Sequence, residues 1–176
     1  MNRPYSPCRI AIAIIALLSA MNLSAEPLEI GSEAPALKVK IDSGDTIDLA
    51  EAYGQGAVLV YFYPRADTPG CTKQACNLRD HYAALQDAGI TVFGVSTDEV
   101  EAQKAFKVKF NLPFTLIADP KAKLVDAFGV PKNGDFARRQ AFLIKGAKIV
   151  WRDLEAKPAT QAEDALAALA GLGSAG

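Results

Sequence analysis

YFYPRADTPGCTKQACNLRD, residues 61–80, decides how the rest of the chain is read. It continues an apolar run, Ala57 to Tyr63, that has the length and character of a buried strand, and Pro64 stops it. A polar loop with a second proline, Pro69, leads through Gly70 into Cys71 and a helix-forming segment. Cys71 therefore opens a helix. The unpaired N–H groups and the macrodipole at a helix start favour an anion, so a thiol placed there is stabilised as thiolate. A second cysteine, Cys76, follows on the same helix. A strand that delivers a nucleophilic sulfur to a helix start, with a partner thiol close behind, is the arrangement of a thiol redox enzyme.

Outward from that stretch, the 176 residues, half of them apolar and 22 % charged, suit one globular domain with an ordinary core. A net charge of −1 gives no electrostatic reason to expect nucleic acid or an anionic membrane as partner. Residues 1–25 stand apart. MNRPYSPCR carries two arginines and no acids, IAIAIIALL is an apolar run too short for a secure membrane span, and NLSA before Glu26 ends in small residues. These are the three parts of a secretory signal, with an uncleaved N-terminal anchor as the other reading. Either way the domain at residues 26–176 is expected to be exported, with the periplasm as its compartment. Cys8 lies ahead of the apolar run and leaves with a cleaved signal, so Cys71 and Cys76 remain, an even count in an oxidising compartment.

Along the domain, Leu37 to Ile41 and Thr46 to Leu49 flank the turn sequence Asp42-Ser43-Gly44-Asp45 and predict a hairpin. Thr72 to Ala88 is expected as one helix closed by Gly89, and Ile90 to Ser96 as a second buried strand. Thr97 or Asp98 is expected to cap a helix running to Phe110, with Ala102, Phe106 and Phe110 as its buried stripe. Thr115 to Ala118 reads as a short strand, and Asp119-Pro120 begins a helical turn that Gly129 stops. Arg139 to Ile144 and Lys148 to Arg152 form a second hairpin about Gly146, and Thr160-Gln-Ala-Glu163 predicts a capping box on a final helix. Strand–helix alternation flanked by hairpins predicts an α/β domain, a mixed sheet with helices on both faces.

With these residues in view, Tyr63-Pro64, Asp67-Thr68-Pro69-Gly70-Cys71-Thr72, Cys76 and Arg79-Asp80 closely resemble the active-site segment of peroxiredoxins. The cysteine pair is similar to that of the Q-type branch, the bacterioferritin comigratory proteins. GVSTD at 94–98, LPFTLIAD at 112–119, FGV at 128–130 and RQAFLI at 139–144 follow in the family's order. The chain departs from the pattern at Ala141, where the family commonly has Ser or Thr, and at the tight Lys145-Gly146 turn. The resemblance implies a thioredoxin-like fold and a monomer. It implies reduction of hydrogen peroxide and organic hydroperoxides by a peroxidatic cysteine, Cys71, with Cys76 resolving the sulfenic acid as an intramolecular disulfide. Thioredoxin or a thioredoxin-like dithiol protein would supply the electrons.

Three further residues join the expected site. Thr68 stands three residues before Cys71, where its hydroxyl can bond the sulfur and the peroxide or simply cap the helix. Arg139 matches the family's active-site arginine by its spacing to Phe142-Leu143-Ile144; strand alternation sends its neighbour Arg138 to the opposite face. Pro64 shields the sulfur from water or only ends the strand. On an ideal helix Cys71 and Cys76 stand about 7.5 Å apart in rise and face different ways. A disulfide needs Cα atoms within about 7 Å. The helix start is therefore expected to unwind in each cycle.

His81 is read as a surface residue, Trp151 as a core or edge aromatic, and Lys104, Lys107 and Lys109 as a solvated face. One histidine and two mature cysteines are too few for a tetrahedral metal site, and no cofactor is called for. Two other readings stay open: a disulfide oxidoreductase, against which the four-residue gap between the cysteines argues, and an exported binding domain with a structural Cys71–Cys76 disulfide.

Overall fold

The computed structural model describes residues 26–173, so the signal or anchor at residues 1–25 lies outside the described residues. Pairing begins at the first hairpin, where β1 (Lys38–Ile41) and β2 (Thr46–Asp48) run antiparallel through a turn in which Gly44 takes φ 92°. That left-handed backbone favours glycine. Asp48 then accepts from the Ala50 N–H and caps α1 (Leu49–Tyr53), a short helix absent from the sequence reading. β3 (Ala57–Phe62) is followed by α2 (Pro69–Asp80), α3 (Tyr82–Asp87), β4 (Ile90–Ser96), α4 (Val100–Phe110), β5 (Thr115–Ala118) and α5 (Lys123–Ala127). A small hairpin of β6 (Lys132–Asn133) and β7 (Phe136–Ala137), the larger one of β8 (Gln140–Lys145) and β9 (Lys148–Asp153), and α6 (Gln161–Gly173) complete the described residues.

Seven strands form one mixed sheet in the order β2-β1-β5-β4-β3-β8-β9. β3, β4 and β5 run parallel, while β1 meets β5, and β8 meets β3, antiparallel. All six residues of β3 are buried, because both faces of the sheet are covered. Leu59, Tyr61 and Tyr63 point to one layer, with Cys71 and Leu78 of α2, Leu85 of α3, Phe106 of α4 and Ala165 of α6. Val58, Val60 and Phe62 point to the other, with Leu49 and Tyr53 of α1 and Leu124 of α5. The α/β architecture expected from the sequence is the one observed, N-terminal hairpin included.

Five local expectations are corrected. The segment foreseen as one helix from Thr72 to Ala88 starts earlier, at Pro69, and breaks at His81, whose backbone leaves the helical region (φ −103°, ψ 11°). Leu78 of α2 and Leu85 of α3 both enter the same buried layer. Glu99, not Thr97 or Asp98, precedes α4, because Asp98 is occupied by the Ala66 N–H and Ser96 Oγ while the Thr97 hydroxyl donates to Asp135 O. On α4 the buried stripe runs through Gln103 and Phe106 rather than Ala102, which is exposed. The capping box at Thr160 does not form. Thr160 Oγ1 donates to Asp164, Glu163 accepts from Asn77 Nδ2, and Asn77 Oδ1 of α2 accepts the Ala162 N–H at 2.9 Å. Two of the lysines read as solvated are paired: Lys107 with buried Asp42 and Lys109 with Asp67, each at 2.6 Å.

Gly94 sits in the middle of β4, paired with Tyr61 of β3. A Cβ there would lie 2.6 Å from both Cζ and Oη of Tyr61 and 2.8 Å from Leu116 Cδ2, so the ring occupies the space a side chain needs. Gly94→Ala is expected to destabilise the domain by about 1–3 kcal/mol through overpacking, measured as a lowered urea midpoint at unchanged m-value.

Candidate active site

The turn after β3 creates the site. Tyr63 extends the strand by donating its N–H to Val95 O, and Pro64, half-buried, has no N–H to carry the ladder further. The loop that follows is pinned from its flanks: the Ala66 N–H donates to Asp98 Oδ2 at 2.7 Å, and Lys109 Nζ reaches Asp67. Asp67 takes a left-handed backbone (φ 59°), and Thr68 is the extended residue before α2. Pro69 occupies the first turn, where a missing N–H costs nothing, and Cys71 follows two residues later. No acidic side chain stands in that turn, so no carboxylate competes for the positive end of the helix.

Cys71 is 2 % exposed, closed into the layer that holds Tyr61, Tyr63 and Ala75. Arg139 Nη2 stands 3.4 Å from Cys71 Sγ. The sheet brings them together: β8 pairs antiparallel with β3 with Gln140 opposite Phe62, so the residue just before β8 emerges where β3 ends. Arg138 is exposed, and it is Arg139 that faces the sulfur. Gly70 makes the approach possible, since a Cβ there would lie 3.2 Å from Arg139 Nη2. The other guanidinium nitrogen, Nη1, donates to Gln74 Oε1. Sequence reasoning missed Gln74; its signal was its place three residues after Cys71, one turn along the same helix face.

Beneath the loop, the Tyr63 hydroxyl donates to Gln103 Oε1, and Gln103 Nε2 donates to Ser96 Oγ and Ile117 O, each at 2.8 Å. Burial pushes the phenols of Tyr61 and Tyr63 well above their usual range, so both stay neutral beside the sulfur. The Thr68 hydroxyl donates to Arg65 O at 3.0 Å and makes no cap bond to α2, so in this state it neither caps the helix nor touches the sulfur. Cys76 lies on the same unbroken helix as Cys71, half-buried, and both thiols are free. His81 stands 3.5 Å from Glu163, three-fifths buried and remote from the sulfur along α2. Among the described residues no group of three or more His, Cys, Asp or Glu side chains is placed to hold a metal ion. A cleft of about 670 Å³ between α1 and the β4–β5 side of the sheet is lined by groups such as Lys38, Glu51 and Thr91 and holds no thiol. The chemistry of this chain therefore follows the sulfur rather than the cleft.

A buried thiol at a helix start, touched by a guanidinium, meets the requirements of an activated sulfur nucleophile. Residues 30–152 match the AhpC/TSA family model. A putative peroxiredoxin bcp of Coxiella burnetii is 44 % identical over 103 residues, which span 58 % of this chain and 68 % of that protein. Peroxiredoxin Bcp of Bacillus subtilis is 40 % identical over 140 residues, 74 % of this chain and 88 % of that protein. The crystal structure of peroxidoxin BcpB from Mycobacterium tuberculosis superposes with a TM-score of 0.77 at 28 % identity, covering 82 % of this chain and 98 % of that one. This agreement extends the thioredoxin-like fold expected from the sequence to the described chain. The chain belongs to the AhpC/TSA family, in its peroxiredoxin Bcp and Q branch, and is a thiol-dependent peroxidase.

Proposed function

We propose that Cys71 is the peroxidatic cysteine and Cys76 the resolving one in a cycle that reduces hydrogen peroxide and organic hydroperoxides. The observation that carries the assignment is the 3.4 Å contact of Arg139 Nη2 with a sulfur in the first turn of α2. The Cys71 thiolate attacks the distal oxygen of the hydroperoxide; an S–O bond forms, the O–O bond breaks, and the alcohol or water leaves with a proton. Arg139 has donors for both the thiolate and the oxygen on which charge develops, and a preorganised guanidinium stabilises that charge without rearranging. Pro64 and Tyr63 keep bulk water from the sulfur, and the Thr68 hydroxyl, one turn away, becomes a peroxide ligand once it rotates from Arg65 O.

In the second step the Cys76 thiol attacks the Cys71 sulfenic acid: the S–S bond forms, the S–O bond breaks and water leaves. With both cysteines on the continuous α2, five residues apart, their Cα separation exceeds the roughly 7 Å limit for a disulfide, so the first turns of α2 unwind for this step. Thioredoxin or a thioredoxin-like dithiol protein then returns two electrons and two protons to the disulfide. The domain is exported to the periplasm, a reading supported by the three-part pattern of residues 1–25, and acts as a monomer, in keeping with its resemblance to the Q-type branch. Among the described residues no helix is long and apolar enough to cross a membrane.

Cys71→Ser is expected to abolish hydroperoxide consumption in a dithiol-coupled assay; activity equal to the parent would overturn the assignment. Arg139→Met should lower the second-order rate constant for hydrogen peroxide by about a hundredfold, the scale of losing one preorganised donor, read by rapid mixing with the reduced protein. Cys76→Ser should still reduce one equivalent of peroxide and accumulate a sulfenic acid that dimedone traps. Continued turnover of that variant with thioredoxin, and no trapped adduct, would remove Cys76 from the cycle.

A further inference from the structure

Arg139 does not end its contacts at Gln74. Gln74 Nε2 donates to Gln161 Oε1 at 2.8 Å, and both glutamines are fully buried. Gln161 is the first residue of α6 and lies 87 positions from Gln74 in sequence. Cys71, Arg139, Gln74 and Gln161 thus form one line of side chains from the sulfur to the start of the last helix.

The line has a fixed polarity. A guanidinium only donates, so Gln74 must turn its amide oxygen toward Arg139 and its NH2 toward α6. Gln161 must then present its own oxygen, and its Nε2 is left buried without a partner. An unpaired buried amide is destabilising, and the fold retains it. A core residue needed only for packing would be apolar here, because Ala162 and Ala165 beside it fill the same layer without polar atoms.

We propose that Gln161 is a positioning residue for the peroxidatic site: its amide oxygen anchors the Gln74 amide where it accepts from Arg139, and so aims the guanidinium at the Cys71 sulfur. The role rests on the reading of Cys71 as the attacking sulfur. Without the Gln161 oxygen, Gln74 Nε2 loses that acceptor in a fully buried position. Gln74 keeps its oxygen toward Arg139 but is no longer tied to α6, so its amide shifts and Arg139 moves off the sulfur with it.

The test compares Gln161→Met, similar in volume but without the acceptor, with Gln161→Glu, which keeps an oxygen for Gln74. Steady-state kinetics with hydrogen peroxide and dithiothreitol as the two substrates separate the half-reactions. For Gln161→Met, kcat/KM for peroxide should fall about tenfold, the scale of a lost hydrogen bond to a charged group, while kcat/KM for dithiothreitol stays at the parent value. Gln161→Glu should restore the peroxide value. Should Gln161→Met not fold, Gln161→Asn, which withdraws the oxygen by one methylene, carries the same readings. Parental peroxide kinetics in the Met or Asn variant, an equal fall in both half-reactions, or a Glu variant as slow as Met overturns the proposal. A Cys71→Ser variant that still consumes peroxide would instead refute the assignment beneath it.

Discussion

A guanidinium seated against a buried sulfur joins segments 68 positions apart in the chain, and the antiparallel pairing of β3 with β8 is what allows it. β3 ends at Phe62, the loop turns, and α2 starts; β8 begins beside that same end of the sheet. One register therefore delivers the nucleophile from one strand and its charge partner from the next. A slip of one residue would send Arg139 to the opposite face and bring Arg138 inward, because side chains alternate along a strand. Gly70 adds a second requirement, since any larger residue would crowd the guanidinium.

The same helix has to satisfy two opposed demands. As the proposed attacking sulfur, Cys71 needs the ordered first turn of α2, where free N–H groups favour an anion. In the proposed cycle it then needs that turn to open so that Cys76 can reach it. A helix of 12 residues is marginal by itself, so α2 depends on what it packs against. Its seam with α6 is largely polar: Gln74 bonds Gln161, Asn77 bonds Ala159 O and caps Ala162, and His81 lies near Glu163. The exposed Asn77 bonds are worth little net because water can replace them, so that part of the seam can open with less loss than an apolar one. Leu78, buried beyond both cysteines, anchors the end of α2 that has no need to move.

Much of this was legible from residue order. The central strands have no polar face and read as buried; the turn residues Gly44 and Gly146 stand at the left-handed positions of their hairpins. The sulfur at a helix start was visible in Pro64, Pro69 and Gly70 around Cys71. Other readings failed where a side chain had a distant claimant. Asp98 looked like a cap for α4, yet it holds the loop before Cys71. Thr160 and Glu163 had capping-box spacing, yet Asn77 of α2 supplies the cap. Gln103 is polar and was passed over as a core residue, but Tyr63, Ser96 and Ile117 satisfy its amide in the interior.

Local order by itself determined the layered strand–helix fold, singled out Cys71 and Cys76 as the thiol pair on which the proposed cycle rests, and narrowed the choice between two adjacent arginines to one per strand face. These follow from periods of two and 3.6 residues and from the polarity of a helix end, which are properties of neighbouring residues. Only the tertiary structure decided which arginine meets the sulfur, that Gln74 holds it, that Gln161 stands behind Gln74, and that α2 breaks at His81. Those outcomes depend on strand register and helix docking. A donor finds its acceptor only after the chain has brought residues 65 and 87 positions apart within bonding distance.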